Sequence, residues 1–161
     1  MATIKDPENT LIIETTKGRV VVEMRPDLAP KHVAHIKALA REGFYDGIVF
    51  HRVLDGFMAQ TGCPKGTGTG QSSKPNLKAE FSNEKYRRGT VGAARSSSPD
   101  SANSQFFIAF DDEGCVGLTG EYTVWGQVIE GMENVDKIKK GEPVRDPDKM
   151  ISMKVAADVK A

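Results

Sequence analysis

The sequence lacks the features that mark several large classes of protein. Its 161 residues include two cysteines, Cys63 and Cys115, too few for a disulfide framework and not at zinc-finger spacing. No apolar run is long enough to cross a bilayer, and the first residues show no secretory signal. Basic and acidic residues both number 22, so no net charge favours nucleic acid. We therefore expect a reduced, cytoplasmic protein without nucleic-acid or membrane partners, and nothing calls for more than a monomer.

The three histidines do not suggest a reactive site. His32 and His35 lie three residues apart on a predicted helix, but no third ligand accompanies them, so we expect surface residues rather than a metal site. His51 precedes Arg52 in a predicted strand, where successive side chains point to opposite faces. We expect His51 to be packed and hydrogen-bonded rather than to act as a general base, and we predict no metal.

Two motifs of enzyme chemistry are also missing. No Gly-x-Ser-x-Gly elbow is present. The glycine-rich stretch 66–70 invites comparison with a phosphate loop, but Gln71 and Ser73 stand where a dinucleotide motif needs glycine. We interpret the stretch as a loop that needs positive φ or close backbone approach. A nucleotide-binding or hydrolytic enzyme is therefore the weakest hypothesis.

The residues that are present predict a mainly β protein. A turn at Thr16-Lys17-Gly18 between β-branched segments predicts a hairpin over residues 11–25. A helix is predicted from Pro30 to Gly43, because apolar residues recur at helical spacing between them. Further strands are predicted at 48–54, 57–61, 89–94, 105–110, 122–130 and 150–159, and a second helix at 132–139.

These elements predict one domain over residues 1–161, since no linker or repeat divides the chain. The strands follow one another without βαβ alternation, so the sheet is expected to be antiparallel. The pattern allows a closed barrel capped by the helices, but a two-sheet sandwich fits nearly as well. The long segment 62–88 has little periodicity, and we interpret it as a packed functional loop.

The most informative segment is 50–62, which reads Phe-His-Arg-Val-Leu-Asp-Gly-Phe-Met-Ala-Gln-Thr-Gly. A turn at its Asp-Gly pair would bring Arg52 close to the next strand, which carries Phe57, Met58 and Gln60. One cation and one amide in an apolar pocket suit an apolar ring attached to a carbonyl or amide. An arginine that snorkels over core residues explains the same pattern equally well.

This segment resembles the signature of the cyclophilin-type peptidyl-prolyl cis/trans isomerases, Phe-His-Arg-Val followed by Gly-Phe-Met-x-Gln-x-Gly. The resemblance covers essentially residues 11–159, and its details are most similar to the short, single-domain bacterial members. Four further blocks resemble the same family in the same order, namely Glu80-Phe81, Arg88-Gly89-Thr90-Val91, Ser104-Gln105-Phe106-Phe107-Ile108 and residues 122–132.

The resemblance implies a closed antiparallel β-barrel of about eight strands capped by two α-helices. It implies an enzyme that isomerises Xaa-Pro bonds of peptides and of unfolded or folding proteins, with no metal or cofactor. Arg52 matches the residue that donates to the prolyl nitrogen. The positions that match substrate-binding residues are Phe57, Met58, Phe107 and Leu118 in the proline pocket, Gln60 for the substrate backbone, Ala94 and Arg95 on the peptide-pairing strand, and Tyr122.

Three positions depart from the family pattern. Gly117 stands where well-known eukaryotic members have a rim tryptophan, Tyr122 where they have a histidine, and Arg95 where asparagine is frequent. A tyrosine still supplies a flat apolar wall and a hydroxyl. We therefore expect catalysis to persist while cyclosporin binding is weakened. The main alternative is a chaperone or binding module that holds Pro-containing segments without turning them over, which would not need Arg52.

Overall fold

The computed structural model describes residues 6–141 and 144–159, and within them the chain is mainly β. Three α-helices accompany the strands: α1 (Pro30–Arg41), α2 (Asp112–Cys115) and α3 (Met132–Asp136). The eight strands are β1 (Thr10–Thr15), β2 (Gly18–Met24), β3 (Arg52–Leu54), β4 (Met58–Thr61), β5 (Thr90–Ala93), β6 (Phe106–Ala109), β7 (Val124–Glu130) and β8 (Met150–Val155).

The strands form one curled antiparallel sheet in the order β3-β4-β6-β5-β7-β2-β1-β8. This confirms the predicted antiparallel, eight-stranded architecture. Closure into a barrel is only partial, because β3 and β8 share no ladder. Isolated backbone hydrogen bonds to residues that precede β8 lie at the gap instead. Phe50 N–H donates to Asp148 O at 2.8 Å, and Val53 and Gly141 form a reciprocal pair at 2.9 and 2.8 Å.

Several predicted bounds change in the structure. The strand predicted over 48–54 is regular only at β3, because residues 48–50 make isolated bonds across the gap. The strand predicted to reach residue 159 ends at Val155 and passes into a 3-10 turn, Ala156–Asp158. Helix α3 ends three residues earlier than predicted. Helix α2 was not predicted, since one turn containing a glycine carries no periodic pattern.

Two apolar clusters organise the fold. The larger one lies between the sheet and α1, where Trp125, Phe106 and Tyr45 are fully buried and pack edge to face. The smaller one contains Met58 and Phe107 and extends to partly buried side chains at the surface. The first cluster holds the sheet together, and the second lies beneath the cavity described below.

His32 corrects a prediction, because it is buried rather than on the surface. Its Nδ1 lies 2.6 Å from Oε1 of Glu80, and the same carboxylate accepts the backbone N–H of His32 at 2.8 Å and of Lys31 at 3.2 Å. Glu80 thus caps α1 from the long segment 62–88. His35 is half-buried.

The described residues contain neither a cluster suited to a metal ion nor a helix suited to a bilayer. No group of three or more histidine, cysteine, aspartate or glutamate side chains there is placed to hold a metal ion. None of the helices in residues 6–141 and 144–159 has the length and apolar character needed to span a bilayer.

The buried histidine predicts a loss of stability on acidification. Burial lowers the pKa of His32, although the hydrogen bond to Glu80 opposes this. The unfolded chain, with a histidine pKa of about 6.5, then binds more protons than the native state, so stability falls as pH drops below that value. We expect the melting temperature to fall between pH 7.5 and 5.5, by about 2–4 °C per kcal/mol lost.

Thermal unfolding of wild type and His32→Gln checks this prediction. The variant should be less stable at pH 7.5, because a packed ring is lost, yet its melting temperature should depend less on pH. Burial also lowers the pKa of His35 and His51, so some dependence should remain. An equal pH dependence in wild type and variant would contradict the assignment to His32.

Candidate active site

The register of four neighbouring strands brings predicted site residues into one row. Arg52 on β3 pairs with Gln60 on β4, Gln60 pairs with Phe107 on β6, and Phe107 pairs with Gly92 on β5. Directly opposed residues in a sheet share a face, and so do residues two apart in one strand. Met58 therefore joins the same face, and the row combines a guanidinium, an amide and apolar side chains.

All nine predicted site residues surround a single cavity of about 140 Å³. This is smaller than the roughly 300–1,000 Å³ of typical ligand pockets, so it suits one ring-sized group rather than a large cofactor. Met58 and Phe107 are buried, and the other residues are half-buried. The lining residues are Arg52, Phe57, Met58, Gln60, Ala94, Arg95, Phe107, Leu118 and Tyr122.

The turn between β3 and β4 positions Phe57. Gly56 has φ of +72°, a conformation that favours glycine at the predicted Asp-Gly turn. Helix α2 packs directly on this turn, since a Cβ at Gly114 would collide with the carbonyl oxygen of Gly56. Cys115 Sγ donates to the carbonyl oxygen of Phe57 at 2.8 Å. The unpredicted α2 thus fixes one wall of the cavity.

Tyr86 supports the cavity from behind, and sequence reasoning missed it. Its ring stacks on Phe107 at 5.6 Å between centroids, and its hydroxyl donates to Tyr122 O at 2.9 Å. Gly92 leaves room for this ring, because a Cβ there would collide with the Tyr86 hydroxyl. A glycine inside a strand was the available signal of such a close approach.

A chain of amide hydrogen bonds orients Gln60. Its Nε2 donates to Gln105 Oε1 at 2.9 Å, and Gln105 Nε2 donates to Gly68 O at 3.0 Å and Gly70 O at 2.9 Å. The Gln60 carbonyl oxygen is thereby turned towards Arg52, whose Nη1 lies 3.4 Å from it. Gln105 lies in one of the blocks that resemble the family, but its side-chain role was not predicted.

The glycine-rich loop wraps around the sulfur of Cys63. Positive φ at Gly66 and Gly68 confirms the conformational interpretation of this stretch. The backbone N–H groups of Gly68 and Gly70 point at Cys63 Sγ, at 3.3 and 3.2 Å. Burial raises the pKa of this thiol, but the hydrogen bonds from the loop outweigh it and lower the pKa to about 7. By contrast, burial raises the pKa of the Cys115 thiol.

His51 is packed, as predicted, but the hydrogen bond expected for its ring is missing at Nδ1. It is buried, and its Nδ1 has no hydrogen-bond partner within the described part of the chain. Burial lowers its pKa, and the Arg52 charge lowers it further. His51 does not line the cavity.

The family model described as "Cyclophilin type peptidyl-prolyl cis-trans isomerase/CLD" matches residues 10–157. The chain belongs to this family. Two curated relatives support the assignment. A probable peptidyl-prolyl cis-trans isomerase of Brucella suis is 55% identical, covering 99% of this chain and 88% of the relative. A peptidyl-prolyl cis-trans isomerase of Helicobacter pylori is 42% identical, and the match covers 81% of this chain and 80% of the Helicobacter protein.

Solved cyclophilin structures share the fold. Cyclophilin AquaCyp293 from Hirschia baltica superposes with a TM-score of 0.88 at 29% identity, covering 96% of this chain and 76% of its own. A Cryptosporidium parvum cyclophilin, solved in the presence of the dipeptide Ala-Pro, gives a TM-score of 0.83 at 29% identity. The match covers 91% of this chain and 98% of the Cryptosporidium chain. Family and relatives together identify the enzyme class as peptidyl-prolyl cis-trans isomerase.

The thiol in the glycine-rich loop gives a spectroscopic prediction. Thiolates absorb near 240 nm, so deprotonation of Cys63 should raise the absorbance with a midpoint near pH 7, about where loop hydrogen bonds place its pKa. An ultraviolet pH titration of wild type and Cys63→Ser measures this directly. The step near pH 7 should vanish in the variant.

Cys115→Ser is the matched control for this titration, because its thiol is buried and its pKa is raised. That variant should keep the step near pH 7. A step that disappears with Cys115 instead, or a first step above pH 8, would contradict the assignment to Cys63.

Proposed function

We propose that this cyclophilin catalyses rotation about Xaa-Pro bonds by holding the proline ring in the cavity while Arg52 stabilises the twisted amide. The observation that carries the proposal is the shared cavity, which places one guanidinium and one amide beside an apolar wall. Neither a nucleophile nor a base is required, because no bond is broken.

The chemistry sets what the site must do. Amide resonance gives a rotation barrier of about 18–20 kcal/mol, and prolyl isomerisation in water takes roughly tens to hundreds of seconds. As the bond twists, resonance is lost, and the prolyl nitrogen becomes pyramidal and regains its lone pair. A donor aimed at this nitrogen binds the twisted state more strongly than either planar state, which is the condition for catalysis.

Arg52 is suited to this role because its guanidinium stays charged and needs no proton transfer. It lies on β3 at the edge of the cavity, half-buried, with Gln60 directly opposite. One preorganised donor of this kind contributes about 3–4 kcal/mol to transition-state stabilisation.

The remaining residues would bind the substrate. Burial of the proline ring against Phe57, Met58 and Phe107 is favourable because these side chains are apolar. We assign Leu118 and Tyr122 to the rest of the wall and the Gln60 amide to the substrate backbone. Ala94 and Arg95, which follow β5, are proposed to pair with the peptide as an added strand.

We propose Pro-containing peptides and unfolded or folding proteins as substrates, handled by a single-domain cytoplasmic monomer without metal or cofactor. Cys63 and Cys115 support the compartment, since both are buried free thiols that suit a reducing environment. The balanced charge of the sequence supports the absence of a nucleic-acid partner.

Exchange NMR on an Ala-Pro model peptide tests the role of Arg52. Wild type should accelerate cis/trans exchange, and Arg52→Ala should lose about a hundredfold or more in kcat/KM, because the donor to the prolyl nitrogen is gone. Circular dichroism and peptide titration should show that the variant remains folded and still binds. Exchange unchanged by wild type, despite binding, would favour the holding module and refute the isomerase mechanism.

Gly117 predicts weak inhibition by cyclosporin. A Cβ at Gly117 meets nothing within 4 Å, and its backbone is not in the left-handed region, so a side chain can start from this position without a clash or backbone strain. Gly117→Trp should tighten inhibition about tenfold or more, since burying one large apolar side chain contributes about 1.5–3 kcal/mol.

Inhibition constants of wild type and Gly117→Trp check this prediction in the same peptide assay. Gly120→Ser serves as a control in the same loop, although its positive φ makes a mild loss of stability expected. Nanomolar inhibition of wild type would refute the prediction.

A further inference from the structure

Arg95 makes contacts that its assigned backbone role does not require. Only 14% of its side chain is exposed. Its Nε and Nη2 donate to the carbonyl oxygen of Glu121 at 3.0 and 2.8 Å, and Nη1 donates to Ser96 O at 2.9 Å. The guanidinium therefore holds the residue that immediately precedes Tyr122.

The same guanidinium lies over the Tyr122 ring, 4.6 Å from its centroid. The ring also contacts Phe107 edge-on, at 5.8 Å between centroids and an interplanar angle of 87°. Tyr122 thus sits between the cavity wall built by β6 and the fixed cation of Arg95. Arg95 and Tyr122, which both depart from the family pattern, are therefore in direct contact with each other.

The segment that carries Tyr122 is irregular, and hydrogen bonds anchor its backbone at both ends. The Thr123 carbonyl accepts the Ala93 N–H at 2.9 Å, and the hydroxyls of Thr119 and Thr123 accept backbone N–H groups from the segment 62–88. Residues 119–123 lie outside helices and strands, between the 3-10 turn Val116–Leu118 and β7. The Tyr122 backbone is tied at two points, since its N–H donates to Leu118 O at 3.2 Å and its carbonyl accepts from Tyr86. These bonds fix the backbone and leave the ring to be placed by its neighbours.

We propose that Arg95 is a positioning residue that holds the Tyr122 ring against Phe107 as a wall of the proline pocket. Its effect on catalysis passes through Tyr122, because the guanidinium both donates to Glu121 O and covers one face of the ring. Arg95 also lines the polar cavity next to the pocket, so it forms part of the partition between the two. The catalytic consequence rests on the function proposed above.

A double-mutant cycle tests the coupling, with kcat/KM measured on the Ala-Pro peptide for wild type, Arg95→Ala, Tyr122→Leu and the double variant. Arg95→Ala alone should lose about three- to thirtyfold, the range given by cation–π contacts. In the Tyr122→Leu background, the same change should cost less than about twofold, because no ring remains to be placed. Equal losses in both backgrounds, or no loss in wild type, would overturn the proposal.

A second readout does not depend on activity. The chain has three tyrosines, and labelled tyrosine rings give a short list of NMR signals. The nuclear Overhauser contact between the Tyr122 and Phe107 rings should be strong in wild type and lost or much weakened in Arg95→Ala. Its persistence in that variant would refute the positioning role, and so would its absence from wild type.

Arg19→Ala is the matched control, since this exposed arginine lies on the β1–β2 hairpin, which contributes no residue to the pocket. It should change neither kcat/KM nor the ring contact. Failure of wild type to accelerate exchange would refute the proposed function, whereas the ring contact would still decide whether Arg95 positions Tyr122.

Discussion

The site depends on the register of β3, β4, β6 and β5. The row of residues that alternates with the site row is fully buried core, consisting of Val53, Ala59, Ile108 and Val91 paired in sequence across the four strands. A slip of one residue would expose this row and turn Gln60 and Phe107 into the core. Burial of small and branched apolar side chains on one face therefore fixes which side chains reach the other. The same hydrophobic term that stabilises the sheet also aligns Arg52 with Gln60.

The two sides of the pocket are held by different means. Three pocket residues lie on hydrogen-bonded strands, namely Arg52, Gln60 and Phe107. Paired strands position side chains more precisely than loops do. Tyr122 stands on an irregular segment that side chains tie down from outside, with Tyr86 bonded to its carbonyl and Arg95 stacked on its ring. Segments with few backbone ladders open at lower free energy than strands do. The proposed catalytic group, Arg52, thus stands on the more rigid side of the pocket, and Tyr122 stands on the side that opens at lower free energy.

Sequence reasoning succeeded where short-range patterns carry the information and failed where distant segments meet. The hairpin, α1 and the β3–β4 pair follow from local turns and periodicity, and the nine pocket residues were named through family resemblance. Burial of His32 could not be read from its helix, because its partner Glu80 is 48 residues away in a segment without periodicity. Tyr86 stayed hidden for the same reason. Barrel and sandwich could not be separated, since closure depends on isolated bonds such as Phe50 to Asp148 rather than on strand propensity.

Binding and catalysis place different demands on this pocket. Apolar walls contact the proline ring in its cis, trans and twisted forms alike, so they raise affinity without lowering the barrier. Only a group that senses the nitrogen lone pair distinguishes the twisted form, and we propose Arg52 as that group in this pocket. Carbonyl groups of the glycine-rich loop orient Gln105, which in turn orients Gln60 beside Arg52. Each of these hydrogen bonds contributes about 1 kcal/mol. Loss of any one of these hydrogen bonds should therefore leave the Arg52 guanidinium less precisely placed, while the apolar lining of the cavity stays in position.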